Sequence, residues 1–149
     1  MNNEFNLITL QNQMMIEKTK QEVLACNAIS ERFGLTLSEK EIIELVESRT
    51  TALKDTGRVE FSGGILPKLI YAFCDSPYID QENYLGTLEE LQEVFYYFKN
   101  ESLEQFTDDE LIEFMEKIYN GIGQGSTEYL YGTSLELLCR YARSDFDPE

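Results

Sequence analysis

The sequence predicts an all-α fold, and three observations carry that prediction. Apolar residues recur at three- and four-residue spacing in several separate stretches, the signature of helices with one buried stripe. Hydroxyl-to-carboxylate start signals precede three of those stretches: Ser38 with Glu41, Thr87 with Glu90, and Thr107 with Glu110. The one alternating stretch, Arg58–Phe61, is too short to found a sheet. With 149 residues the chain fits one domain, 1–149, and a domain of this size removes about 70 % of its extended surface from water. The expected architecture is a compact bundle of five to six helices around an apolar central helix at about 64–75, with one very short extended piece near 58–61.

In chain order, residues 1–16 offer Phe5, Leu7, Ile8, Leu10, Met14, Met15 and Ile16, compatible with either a docking arm or a first helix. From about Glu17 to Phe33, Ala25, Cys26, Ile29 and Phe33 fall at helical spacing, and Gly34 supplies a left-handed end. The helix that opens at Ser38 carries Ile42, Ile43, Leu45, Val46 and Leu53 and stops at Gly57. Next comes the most apolar stretch, ILPKLIYAFC over Ile65–Cys74, with Lys68 its one charge. Gly63 and Gly64 loosen the chain before it, Pro67 is tolerated in a first turn, and Ser76-Pro77 stop it. Thr87 opens a helix with Leu88, Leu91, Phe95 and Phe98 inward, and Thr107 opens another with Leu111, Ile112, Met115, Ile118 and Tyr119. A last helix is expected from about Ser134 to Arg143, with Leu135, Leu138, Cys139 and Ala142 inward.

Composition excludes more than it selects. The formal charge is −16, from 28 acidic and 12 basic residues, so a broad basic face for nucleic-acid phosphates is excluded and an anionic membrane is disfavoured. The first residues lack a basic leader and a long apolar run, and no stretch approaches the ~20 apolar residues of a membrane span, so the expected location is the cytoplasm. Cys26, Cys74 and Cys139, odd in number and set among apolar residues, read as buried free thiols. The absence of histidine removes Ser-His-Asp and Cys-His catalysis and the histidine-bearing zinc and di-iron motifs. Gly121, Gly123 and Gly125 lack the spacing and the Lys of a phosphate loop, so Gly121 reads as a helix end. The loop from Asp80 has Tyr84 and Leu85 where a calcium loop needs an oxygen ligand and Gly. No catalytic residue, cofactor or metal site is expected.

Two features remain. Residues 49–68 hold four basic residues against two acidic ones, whereas 80–116 hold twelve acidic residues against Lys99 alone. That basic island suggests an anion-holding pocket at Arg58, Glu60, Gly63 and Gly64, extended to Asp75 and Tyr78, with free helix-start amides aiding Arg58. The bland alternative is that Arg49 and Arg58 pair with the chain's own carboxylates. The second feature is nine tyrosines without tryptophan. Tyr96 and Tyr97 cannot both share the inner stripe of Phe95 and Phe98, so at least one faces outward beside Glu89 and Glu93, a setting typical of interfaces.

The runs GRVEFSGGILPKLIYAFCDSPYI, TLEELQEVFYYFKNES, DDELIEFMEKIYNG and GSTEYLYGTSLELL resemble an uncharacterised family of small acidic helical proteins from Gram-positive bacteria, over most of the chain after about Leu35. The resemblance implies an all-helical bacterial protein and carries no activity with it. The sequence therefore reads as an acidic protein-interaction or regulatory module, meeting a basic protein partner or a second copy of the chain through the acidic faces from Glu89 to Glu116 with Tyr96 or Tyr97, the contact residues being taken from Glu89, Glu93, Tyr96 and Tyr97. The competing reading is an anionic small-molecule site, as a binding protein or a histidine-free carboxylate enzyme, with Glu60 or Asp75 as acid-base group and Arg58 as anion holder. An acidic mimic of nucleic acid follows from charge alone.

Overall fold

Two of the three predicted start signals are in place. In the computed structural model, Ser38 Oγ accepts from the Glu41 amide at 3.1 Å while the Glu41 carboxylate accepts from the Ser38 amide at 3.0 Å. Thr107 and Glu110 make the same reciprocal pair, at 3.1 and 2.9 Å. Each satisfies helix-start amides that have no acceptor within the helix. The structure describes residues 3–60, 64–131, 135, 136, 139 and 140, and of residues 3–9, 11 and 12 only the backbone.

The regular elements of the described chain are all helical, with no strand among the described residues: α1 (Asn3–Ala25), α2 (Asn27–Ser30), a 3-10 turn (Glu31–Phe33), α3 (Glu39–Thr56), α4 (Leu66–Phe73), α5 (Tyr84–Glu101), α6 (Asp108–Asn120) and α7 (Thr127–Leu130). The fold is all-α, as expected. Residues 1–16 resolve toward a helix from Asn3 onward. The expected Glu17–Phe33 helix is instead broken at Cys26, whose amide turns back to the Val23 carbonyl at 3.0 Å. Of the residues expected inward, Cys26 is buried and Ile29 half-buried, whereas Ala25 and Phe33 are exposed and Val23 is buried in addition. The break lets two side-chain amides fix the segment before α3. Asn27 bonds both the Leu37 amide and carbonyl at 2.9 Å, and Gln81 bonds those of Thr36 at 2.8 Å.

The third start signal lies inside a helix. α5 begins three residues before Thr87, where Asp80 and Asn83 each bond the other's amide, at 2.9 and 3.0 Å. Thr87 donates its own amide to the Asn83 carbonyl at 2.9 Å, a helical bond. α4 matches the apolar stretch, with Pro67 in its first turn and Leu66, Leu69, Ile70 and Phe73 buried. It is less enclosed than the sequence implies, because Lys68 and Tyr71 are exposed. Two helices have four helical neighbours each: α4 touches α1, α2, α5 and α6, and α5 touches α3, α4, α6 and α7 and buries Leu88, Leu91, Val94, Phe95 and Phe98. Burying side chains of that size stabilises by about 1.5–3 kcal/mol each. Residues 58–60 are irregular, and Phe61, Ser62 and Gly63 lie outside the described residues.

The glycine-rich loop after α6 spends its amides on the helix it leaves. Gly121, Gly123 and Gly125 donate to the carbonyls of Lys117, Ile118 and Tyr119 at 3.0, 2.8 and 2.8 Å. Gly125 has φ +81°, and a Cβ there would lie 2.5 Å from that of Tyr78, so glycine is required twice over. α7, not anticipated from the sequence, starts at Ser126, whose hydroxyl accepts from the Tyr129 amide at 3.2 Å. Of the last expected helix, Leu135 and Cys139 are buried, while Ser134, Leu138, Ala142 and Arg143 lie outside the described residues. All three cysteines are free and buried. Among the described residues no helix is long and apolar enough to cross a membrane.

Candidate functional site: an acidic, aromatic face on the central helix

The residues expected to form an anion pocket are distributed over both ends of α4. At its start, the left-handed turn at Gly57 brings Arg58 back across to α5. There Arg58 Nη1 donates to Asn100 Oδ1 at 2.6 Å and to the Glu104 carboxylate, and Nη2 reaches Glu104 at 3.3 Å. Asn100 in turn donates to the Thr56 carbonyl at 2.9 Å. Arg58 is thus occupied by the chain's own groups. Glu60 points to a different arginine: its Oε1 accepts from Arg49 Nε at 3.1 Å and from the Tyr96 hydroxyl. Gly64, with φ +57°, lies under that carboxylate, since a Cβ there would sit 2.0 Å from Glu60 Oε1. Gly63 is outside the described residues.

Asp75 and Tyr78 stand past the other end of α4. An eight-residue helix is about 12 Å long, so they do not meet Arg58 or Glu60 across it. Tyr78 packs edge-on against Tyr119, ring centres 6.2 Å apart, and Asp75 is exposed. Two concavities, of about 290 Å³ between α1 and α3 and about 380 Å³ between α4 and α6, are lined by none of these residues. Among the described residues no cluster of His, Cys, Asp and Glu could hold a metal ion.

The partner-facing residues come out differently. Tyr96 is fully buried, its hydroxyl held by Glu60, which takes it out of the residues expected to meet a partner and leaves Tyr97 as the outward one of the two. Burial first, and then the adjacent carboxylate, push its phenol well above the ordinary range. Tyr97, one position on, rotates outward by about 100° and is 44 % exposed. It meets Tyr131, which is 42 % exposed, edge-on at 5.4 Å, and the Tyr131 ring also leans on Phe98 at 5.8 Å. The sequence showed Tyr131 only as one tyrosine of nine, because its approach to Tyr97 depends on how α7 packs against α5.

Carboxylates line the same side of α5. Glu93 and Glu89 lie one and two turns before Tyr97, Glu90 takes a hydrogen bond from Thr127 Oγ1 of α7, and Glu44 of α3 stands beside Glu89. Partial burial, reinforced by the Glu44 carboxyl and by Glu93, pushes Glu89 up to about 7 from a usual 4.5. No cation pairs with Glu44, Glu89, Glu90 or Glu93 among the described residues. The result is two half-exposed rings beside Glu90 and Glu93, with Glu89 further back along α5 and Glu44 of α3 next to it, all four without a counter-charge among the described residues.

A family model described as a family of unknown function (DUF6323) matches residues 22–148. No curated protein and no solved structure matches the chain. The match spans every element described above except most of α1, and so the chain belongs to the DUF6323 family of unknown function.

Proposed function

We propose that the protein is an interaction or regulatory module that holds a basic segment of a protein partner on the outer face of α5. The observation that carries this reading is the Tyr97–Tyr131 pair standing beside Glu89, Glu90 and Glu93, for which the chain supplies no cation among the described residues. A lysine or arginine laid there gains a ring face and a carboxylate together. Tyrosine adds contact area at small entropic cost, and the surplus negative charge steers a basic partner toward the surface. No reaction is assigned to the site.

The test is fluorescence anisotropy of a labelled oligolysine peptide over a range of ionic strength. Binding should weaken steadily as salt rises. Glu93→Lys should weaken it by about tenfold, the effect of roughly 1.4 kcal/mol, and Tyr97→Ser should weaken it at every salt concentration. Equal losses from Glu93→Lys and from Glu113→Lys on α6 would reduce the site to bulk charge and sink the reading.

A further inference from the structure

α1 is 23 residues long, about 35 Å, and only its last part docks on the body. Thr19, Val23 and Cys26 are buried at helical spacing, whereas every residue from Gln13 to Lys18 is exposed. On the side opposite the docking face, Leu10, Met14, Glu17, Gln21 and Leu24 follow one another at spacings of four, three, four and three, the seam of a two-stranded coiled coil. Its apolar members are open to solvent: Leu10 is 52 %, Met14 63 % and Leu24 46 % exposed. The seam runs into the concavity of about 290 Å³ between α1 and α3, lined by Glu17, Gln21, Leu24 and Ile42 among others. A helix with apolar residues left outward at seam spacing is completed by another helix.

Charge selects which helix. Residues 14–24, the stretch on which Leu24 and Met14 stand, carry Glu17 and Glu22 against Lys18 and Lys20, balanced in a chain of net charge −16. A basic partner finds no surplus of carboxylate there, and an anionic lipid surface finds each lysine offset by a glutamate, unlike the lysine- and arginine-rich face of an interfacial helix. Two copies of this chain repel one another over the rest of their surface and least along this segment. In a two-fold pairing the same stripe serves both sides. An antiparallel arrangement that sets Met14 against Leu24 places Glu17 against Gln21, so the two Glu17 carboxylates do not face each other. We propose that the protein forms a two-fold dimer through an antiparallel α1–α1 contact, with Met14 of each copy seated against Leu24 beside the α1–α3 concavity of the other.

Light scattering coupled to size exclusion, on the full chain over a wide range of concentration, should give a mass that rises to twice that of the monomer. Salt should strengthen this association by screening the mutual repulsion, the opposite of its effect on oligolysine binding, so this proposal and the α5 reading fail independently. Met14→Glu and Leu24→Glu, with helicity checked by circular dichroism, should each raise the dissociation constant tenfold or more, while Ile122→Glu, an exposed apolar site elsewhere, should leave it unchanged. If those variants unfold α1, a mixture of Met14→Cys and Leu24→Cys proteins under mild oxidation should cross-link to each other in preference to themselves. A monomer at all concentrations would overturn the proposal, as would a dimer indifferent to the α1 substitutions or a mixture that forms no such cross-link. Binding of the monomer to neutral lipid vesicles, abolished by Met14→Glu, would assign the stripe to a lipid surface and overturn it equally.

Discussion

α5 and α6 are both acidic helices of one small protein, yet their carboxylates are placed in opposite ways. On α6, Asp108 pairs with Lys99 at 2.9 Å, Asp109 with Lys68 at 2.9 Å and Glu113 with Lys117 at 3.2 Å, and Glu110 is bound into its capping box. Only Glu116 of that helix has neither a cation nor a cap among the described residues. On α5, Glu89, Glu90 and Glu93 have no cation, and beside them two tyrosines stay half-exposed. The contrast teaches that net charge alone does not distinguish the two helices. What sets α5 apart, and what the proposed reading rests on, is charge left without its counterpart next to aromatic area left without cover.

The paired state is most complete at Glu60, and there the largest effect is expected. Arg49→Ala removes a buried cation, 7 % exposed, and leaves the Glu60 carboxylate with the Tyr96 hydroxyl alone. Urea unfolding should show a loss of about 3 kcal/mol, because a charge left in a poorly solvated site costs more than the pair contributed. A loss under 1 kcal/mol would mean that Glu60 swings freely into water and that the pairing is incidental.

The α6 cap comes next. Thr107→Ala should cost about 1 kcal/mol in the same measurement, since it removes the hydroxyl that caps the Glu110 amide while leaving the backbone amide that holds the Glu110 carboxylate. Arg58→Ala should cost less still, within about 1 kcal/mol, because its partner Glu104 is largely exposed and the pair is well screened. Two arginines nine positions apart would then differ severalfold through burial alone. Equal costs would erase the distinction between them.

The smallest effect concerns the unpaired side. Glu89 takes up its proton more readily folded, near 7, than unfolded, near 4.5, so its contribution is complete below about pH 4.5 and declines as pH rises toward 7. Solvent screening keeps that contribution small. Glu89→Gln, neutral throughout, should flatten the fall in melting temperature between pH 5 and 7 relative to the parent protein. An unchanged pH profile would place the Glu89 carboxyl away from Glu44.

Sequence reasoning reached what local chemistry determines. Ser38 with Glu41 and Thr107 with Glu110 are pairs whose partners lie three residues apart, so their bonds form as the helix forms. Thr87 with Glu90 has the same spacing and failed, because Asp80 and Asn83 begin the helix earlier and carry Thr87 into its second turn. The Arg49–Glu60–Tyr96 cluster was hidden for another reason. Its members lie 11 and 36 positions apart and meet only after the Gly57 turn and the α3–α5 packing are in place. The island of basic residues pointed to the right stretch, but nothing in spacing distinguished Arg49, turned inward, from Arg58, turned toward Glu104. Tyr97 was legible as one of two tyrosines that could not share a face; Tyr131 was not, since its ring contact arises between elements.

The most direct test of the central claim is to titrate the isotope-labelled protein with an oligolysine peptide and follow each backbone amide by NMR. The account predicts saturable shifts that cluster on α5 from Glu89 to Tyr97 and at Tyr131, with α6 from Asp108 to Glu113 nearly still. Shifts spread evenly over both helices would contradict it, because the unpaired face would then bind no better than the paired one.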